Sequence, residues 1–189
     1  MLRMHRLPLL LLAACGLTAG ARAQTPEKTV GLAVQAEMEY GGDAITAFNT
    51  STGHSQSISA GEGMVVGAGG YLRPVEGSHF EIRGLVGYKF LSSAASNARL
   101  RLTRIVRQVT GNWRFHNEFS VGAGVVQHSG LVLHGDDYFR DRDFRTSTGM
   151  ATQVGWRFAT LQYTNMRYVD KVGNDFDAST VGVALTWRL

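Results

Sequence analysis

Three prolines and a single cysteine in 189 residues set the first limits. One thiol, Cys15, cannot build a disulfide scaffold. No apolar run reaches the roughly 18 residues that a membrane-crossing helix needs. That absence leaves a β-barrel open, because barrel strands need only about 9–11 residues each and signal weakly one by one. The sequence has no G-x-S-x-G, H-E-x-x-H, C-x-x-C or phosphate-loop motif. Beyond residue 23 the histidines are His54, His79, His116, His128 and His134, none spaced as a metal-binding pair. No basic stripe points to nucleic acid, so none is expected as a partner.

Glycine is plentiful, with 23 residues, which suits turns and closely approaching strands. The end of the chain is the most regular part. From Thr180 to Leu189, Val181, Val183, Leu185, Trp187 and Leu189 alternate with Thr180, Gly182, Ala184, Thr186 and Arg188. A strand has a side-chain period of two, so one face is wholly apolar and the other small or polar. In a membrane barrel the apolar face would lie against lipid.

The start of the chain fits the same compartment. Arg3 and Arg6 flank an apolar run from Leu7 to Ala14, and Ala21-Arg22-Ala23 precedes Gln24. This reads as a secretory signal peptide over residues 1–23, followed by the barrel over 24–189. Leu12-Ala13-Ala14-Cys15 offers the alternative of a lipidated Cys15. Cleavage after Ala23 is preferred, because it leaves no lone thiol in an oxidising compartment. It also removes three arginines and no acid, so 19 basic against 15 acidic residues becomes 16 against 15.

Alternation recurs along the chain. Val30–Tyr40, Met64–Leu72 and Phe80–Phe90 read as strands, with a polar loop from Gly41 to Ala60 and a turn at Pro74–Ser78. In Arg99–Phe115 the apolar phase flips between Leu100/Leu102 and Val109/Trp113, which predicts a β-bulge in that strand. After a turn at His116-Asn117, Phe119–Val125 is the next strand, and Ser129–Arg145 a long charged loop. Strands over Met150–Phe158 and from Leu161 follow, the latter with Met166 and Tyr168 out of phase. A loop over Asp170–Asp177 precedes the last strand. About eight strands joined by alternating long and short connections predict an eight-stranded antiparallel up-and-down transmembrane barrel. Eleven aromatics near strand ends, among them Tyr40, Phe80, Trp113, Trp156 and Trp187, read as interfacial girdles.

The opposite faces hold Gln35, Glu37, Glu39, Glu81, Arg83, Lys89, Arg101, Arg114, Glu118, Gln153, Arg157, Gln162 and Arg188. These would fill a narrow interior as an ion-paired plug rather than an open channel. Asp136, Asp137, Asp141 and Asp143 could bind Ca²⁺, but Arg140, Arg142 and Arg145 interleave them, so solvated ion pairs are the simpler reading. With Tyr138, Phe139 and Phe144, those arginines form a candidate loop-binding set for lipopolysaccharide phosphates or a partner surface.

Two resemblances follow from these residues. The ending resembles the C-terminal signal of bacterial outer-membrane proteins, which the barrel-insertion machinery reads. The matching residues are Thr180, Gly182, Leu185 and Trp187, with Leu189 in place of the usual terminal Phe. More loosely, Leu161–Tyr168 resembles the late strand of outer-membrane lipid A deacylases, which are also eight-stranded barrels. Their catalytic His and Ser lie two residues apart, and the corresponding positions here are Asn165 and Arg167. Neither can serve as base or nucleophile. The chain as a whole is similar in organisation to small outer-membrane proteins of Gram-negative bacteria. This implies a monomer of the cell outer membrane, in contact with its lipid and lipopolysaccharide. The expected role is non-enzymatic, in envelope integrity or surface interaction through external loops, with no cofactor. A lipid A-modifying enzyme is the second reading and a narrow pore the third.

Overall fold

The computed structural model describes residues 29–49, 55–75, 77–95, 98–115, 118–134 and 141–189. The expected signal peptide, Cys15 and the turn residues His116 and Asn117 lie outside them. The strands are β1 (Val30–Tyr40), β2 (Ala44–Asn49), β3 (Ser55–Ser59), β4 (Gly63–Leu72), β5 (Phe80–Ala95), β6 (Ala98–Arg114) and β7 (Phe119–His134). They continue as β8 (Arg142–Asp143), β9 (Ser147–Trp156), β10 (Ala159–Asn165), β11 (Arg167–Val169), β12 (Asp175–Asp177) and β13 (Thr180–Arg188). Eight of these, β1, β4, β5, β6, β7, β9, β10 and β13, pair antiparallel in a ring that the β6–β7 ladder closes. Closure leaves no long strand edge unpaired.

The register fixes the size of this barrel. Val30 pairs with Leu72, Leu72 with Ile82, Ile82 with Gly111, and Gly111 with Ala123. The row goes on through Thr152, Tyr163 and Val181 and returns to β1 at Tyr40. One circuit therefore climbs from residue 30 to residue 40, a shear of ten. Eight strands with that shear, at about 3.3 Å rise and about 4.8 Å spacing, tilt by about 40° and enclose a lumen that side chains fill.

The two faces differ sharply. Leu32, Val34, Met38, Val66, Val86, Val109, Val125, Val154, Leu161 and Val183 are exposed on the outer wall. Gln35, Glu37, Glu81, Lys89, Gln108, Asn112, Gln153, Gln162 and Thr186 are buried inside. Aromatics bound the outer belt. Phe80, Trp113, Phe119, Trp156 and Trp187 lie near the turn end, and Tyr40, Tyr88, Phe90 and Tyr163 towards the loop end. Phe80 and Phe90 are ten residues apart on β5, which at that tilt spans about 25 Å.

The strands β5, β6 and β7 run on past the belt, and there the pattern inverts. On β6, the inward residues Gln108, Thr110 and Asn112 are polar while the outward Ile105, Val109 and Trp113 are apolar. Above Arg104 the inward residues are Leu100 and Leu102, and Arg101 faces out. The strand keeps one phase throughout, so the bulge expected in Arg99–Phe115 is not in this strand. It is in β7, where the register against β6 shifts between Thr103 and Ile105 and Gly130 adopts φ +60°. Beyond that glycine the inward set changes from Val126 and His128 to Leu131 and Leu133. Met166 and Tyr168 likewise continue the inward phase of Thr160, Gln162 and Thr164 and are buried.

These apolar inward residues form a head over the loop end. Leu100, Leu102, Leu131 and Leu133 pack with Ile45 and Ile58 from the β2–β3 hairpin, and with Phe144, Tyr168 and Ala178 from the later loops. The sequence reading therefore needs correction in three loops. Gly41–Ala60 contains the β2–β3 hairpin, Ser129–Arg145 contains the end of β7 and the short β8, and Asp170–Asp177 contains β12. Of the residues expected inside, Arg101 is exposed beside the head, and Arg157 and Glu118 form an exposed pair at the turn end.

Candidate functional site

The lumen is filled in layers. Near the turn end Glu81 is fully buried and takes Arg73 at 3.2 Å, Arg83 at 3.0 Å and Arg188 at 3.1 Å. Three guanidinium groups around one carboxylate keep that charge paired and hydrogen-bonded, which its burial demands. The middle layer is mostly amides and hydroxyls, with the buried Glu37 accepting from Gln35 at 3.0 Å. Gln108 donates to Gln162 at 2.7 Å, Gln153 donates to Asn112, and Thr186 donates to Gln35 at 3.1 Å.

At the loop end the barrel grips the head. Lys89 on β5 donates to Glu39 on β1 and to the Gly61 carbonyl. Arg104 donates to the carbonyls of Gly61 at 3.2 Å and Glu62 at 2.5 Å, and its guanidinium lies 5.6 Å from the Tyr168 ring centre. The His128 ring nitrogen Nδ1 is 2.5 Å from the Tyr168 hydroxyl. Apart from the Lys89–Glu39 pair, which joins β5 to β1, these contacts tie barrel strands to segments at the loop end, so the described loop segments pack onto the barrel. Burial raises the Tyr168 hydroxyl above its ordinary range, and it stays a neutral partner.

Asp170 shapes the last loop. One carboxylate oxygen accepts the backbone N–H groups of Val172, Gly173 and Asn174 at 2.7–2.9 Å, and the other accepts the Asn174 side chain at 2.8 Å. The Asn174 amide and then these backbone donors hold its pKa below the ordinary aspartate value. Asp177, which accepts the Ser179 N–H at 2.8 Å, is lowered in the same way, first by the Ser179 side chain.

The residues singled out from sequence fall in different places. Arg140, Asp136 and Asp137 lie outside the described residues. Arg142 on β8 and Arg145 are both exposed on the head. Asp141 pairs with His134 at 2.8 Å, and Asp143 with Lys171 at 2.6 Å. Among the described residues no group of His, Cys, Asp or Glu is arranged to hold a metal ion. His128 and Ser129 point to opposite faces. His128 is buried against Tyr168, whereas Ser129 receives Arg107 on the outside at 3.1 Å. Asn165 and Arg167 are exposed on the outer wall. On the last strand, Gly182 faces the lumen, while Trp187 and Leu189 are exposed. Leu185 is partly covered.

Arg104 and the His128–Tyr168 contact were missed from sequence. A bulge expected in β6 leaves the face of the residues between Leu102 and Val109 undefined, and no spacing rule joins residues 128 and 168. Unbroken even-numbered phase from Leu100 to Arg114 would have found Arg104. A scan against protein-family models and a search of curated proteins returned no match to this chain.

Proposed function

We propose that this chain is a transmembrane barrel of a Gram-negative outer membrane, non-enzymatic, which presents its loop head at the cell surface for envelope integrity or surface interaction. The observation that carries this reading is the inversion of polarity along β6, β7 and β10–β11 at one level of the barrel. Below that level the outer wall is apolar apart from Arg107, Gln127 and Thr152, and the lumen is mostly polar. Above it the inside is apolar and the outside polar, as in a water-soluble protein. A change of surroundings from hydrocarbon to water accounts for this, because each strand places apolar side chains away from water. The belt of about 25 Å between the aromatic bands fits the apolar band of such barrels.

The head supports a surface role over a conducting one. Ion pairs and amides fill the lumen, and the apolar head covers its outer end. Arg142 and Arg145, exposed on the head, and Arg140, which lies outside the described residues, are the arginine set assigned to lipopolysaccharide phosphates or a partner surface. Gly182, Leu185, Trp187 and Leu189 would serve earlier, as the signal read by the barrel-insertion machinery.

Electrophoresis of the membrane fraction with and without boiling in detergent tests the membrane reading. A compact unheated band that slows on boiling is expected. A soluble periplasmic protein with no shift would overturn it. For the surface role, Arg140, Arg142 and Arg145 changed together to Gln should weaken lipopolysaccharide and cell-surface binding about tenfold at low salt. Unchanged binding of both kinds would remove the arginine set from the proposal.

A further inference from the structure

One register row runs obliquely up the outer wall. Trp187 on β13 pairs with Val34, Val34 with Ala68, and Ala68 with Val86. The row then turns polar, as Val86 pairs with Arg107, Arg107 with Gln127, and Gln127 with Thr148. Strand tilt makes this row climb from near the turn end of the wall to the level at which polarity inverts.

Its apolar part lies in a groove. An open depression of about 660 Å³ is lined by Val34, Ala68, Val86, Ile105 and Trp187, with the paired backbones of Gly67 and Gly87 in its floor. The polar part is held ready. Arg107 is exposed and donates to Gln127 at 3.3 Å and Ser129 at 3.1 Å, and Gln127 donates to Thr148 at 3.5 Å. No carboxylate pairs with Arg107 among the described residues. A guanidinium at the edge of an apolar wall is costly unless an anion or water meets it. On the turn side, the exposed Arg157 already has Glu118 at 2.6 Å.

We infer that this wall is a lipid site. Its groove takes an acyl chain, and Arg107 takes a phosphate of the same outer-leaflet glycolipid, a phosphorylated, acylated disaccharide of the lipid A class. The order along the row fixes the orientation, with tail towards Trp187 and headgroup at Arg107, Gln127 and Thr148. This rests on the membrane reading above, and it concerns a different surface from the head arginines.

The test uses the full-length mature chain refolded into zwitterionic phospholipid bilayers doped with bisphosphorylated lipid A or with its dephosphorylated form. Lipid A retained per barrel after detergent washing is measured by native mass spectrometry. One bisphosphorylated molecule per barrel is expected, in preference to the dephosphorylated form. Arg107→Gln should lower retention about tenfold, the scale of one lost charge-assisted contact. Arg107→Lys should keep part of it. Ala68→Phe fills the groove with apolar bulk that lipid tolerates, and should also lower retention about tenfold. Retention within about twofold of the native chain for either Arg107→Gln or Ala68→Phe overturns the site. The heat-dependent band shift is read on the same samples. A chain that inserts but shows no phosphate preference overturns only the lipid site, whereas a chain that does not insert overturns the membrane reading as well.

Discussion

Lys89 and Glu39 meet inside the barrel from strands that are not neighbours: β4 lies between them, and both side chains are buried. Lys89 also holds the Gly61 carbonyl at the base of the first loop. The pair thus joins two walls to the head. Lys89→Met leaves Glu39 buried without its cation, and should lower unfolding free energy by about 3–5 kcal/mol. The double change Lys89→Met with Glu39→Leu should recover much of that loss, because no charge is then stranded. Urea unfolding in detergent micelles measures both. A single variant as stable as the native chain would show that water, rather than Lys89, satisfies Glu39.

Gly130 sits at φ +60° with nothing near the position of a Cβ, so its constraint is the backbone and not space. Gly130→Asn should be tolerated best, Gly130→Ala should cost about 1 kcal/mol, and Gly130→Val more. Equal stability for the three would mean that the bulge can move along β7.

Asp170 gives the last loop a pH dependence with a definite sign. Its folded-state pKa is depressed, so its contribution is complete above the ordinary aspartate value of 3.8 and is lost as pH falls through the lower folded value. The amide resonances of Val172, Gly173 and Asn174 should shift together below pH 3.8 while barrel amides stay unchanged. In Asp170→Asn that transition should vanish. Its persistence would assign it to another acid, with Asp177 the first to examine.

The C-terminal strand separates assembly from stability. Trp187 and Leu189 are exposed on the outer wall, so a smaller apolar residue there removes little packing. Trp187→Val with Leu189→Ala should cut assembly in cells about tenfold and alter refolding in micelles by less than about twofold. Equal losses in both settings would make these residues structural anchors only. Gly182→Ala should act differently. Its Cβ would come within 2.8 Å of Glu39 and 3.0 Å of Glu37 and the Met38 carbonyl, so refolding itself should suffer.

Much of the fold was legible because most strands alternate in one phase. Val30–Tyr40 and Thr180–Arg188 were read almost to their ends. The failures lie where the polarity pattern inverts along a strand. Leu100 and Leu102 looked out of phase with Val109 and Trp113, yet β6 never changes face. Reading polarity as a marker of direction works only while the surroundings stay the same. The head was illegible for a different reason. Ile45, Leu131, Phe144 and Tyr168 come together from four separate loop and strand segments, and no local period links them. Of the candidate site, the exposure of Arg142 and Arg145 follows from charge, whereas Arg107 became visible only when its row was traced around the wall.

The sequence alone determined the strand period, the count of about eight, and the existence of one apolar and one polar face, since these follow from local backbone geometry and side-chain type. Tertiary structure decided which face is inside, the shear of ten, the β7 bulge at Gly130, and the meetings of Lys89 with Glu39 and of His128 with Tyr168. Ring closure is the physical reason. The stagger accumulated around eight strands sets which distant residues stand opposite one another in the lumen, and no single strand carries that information.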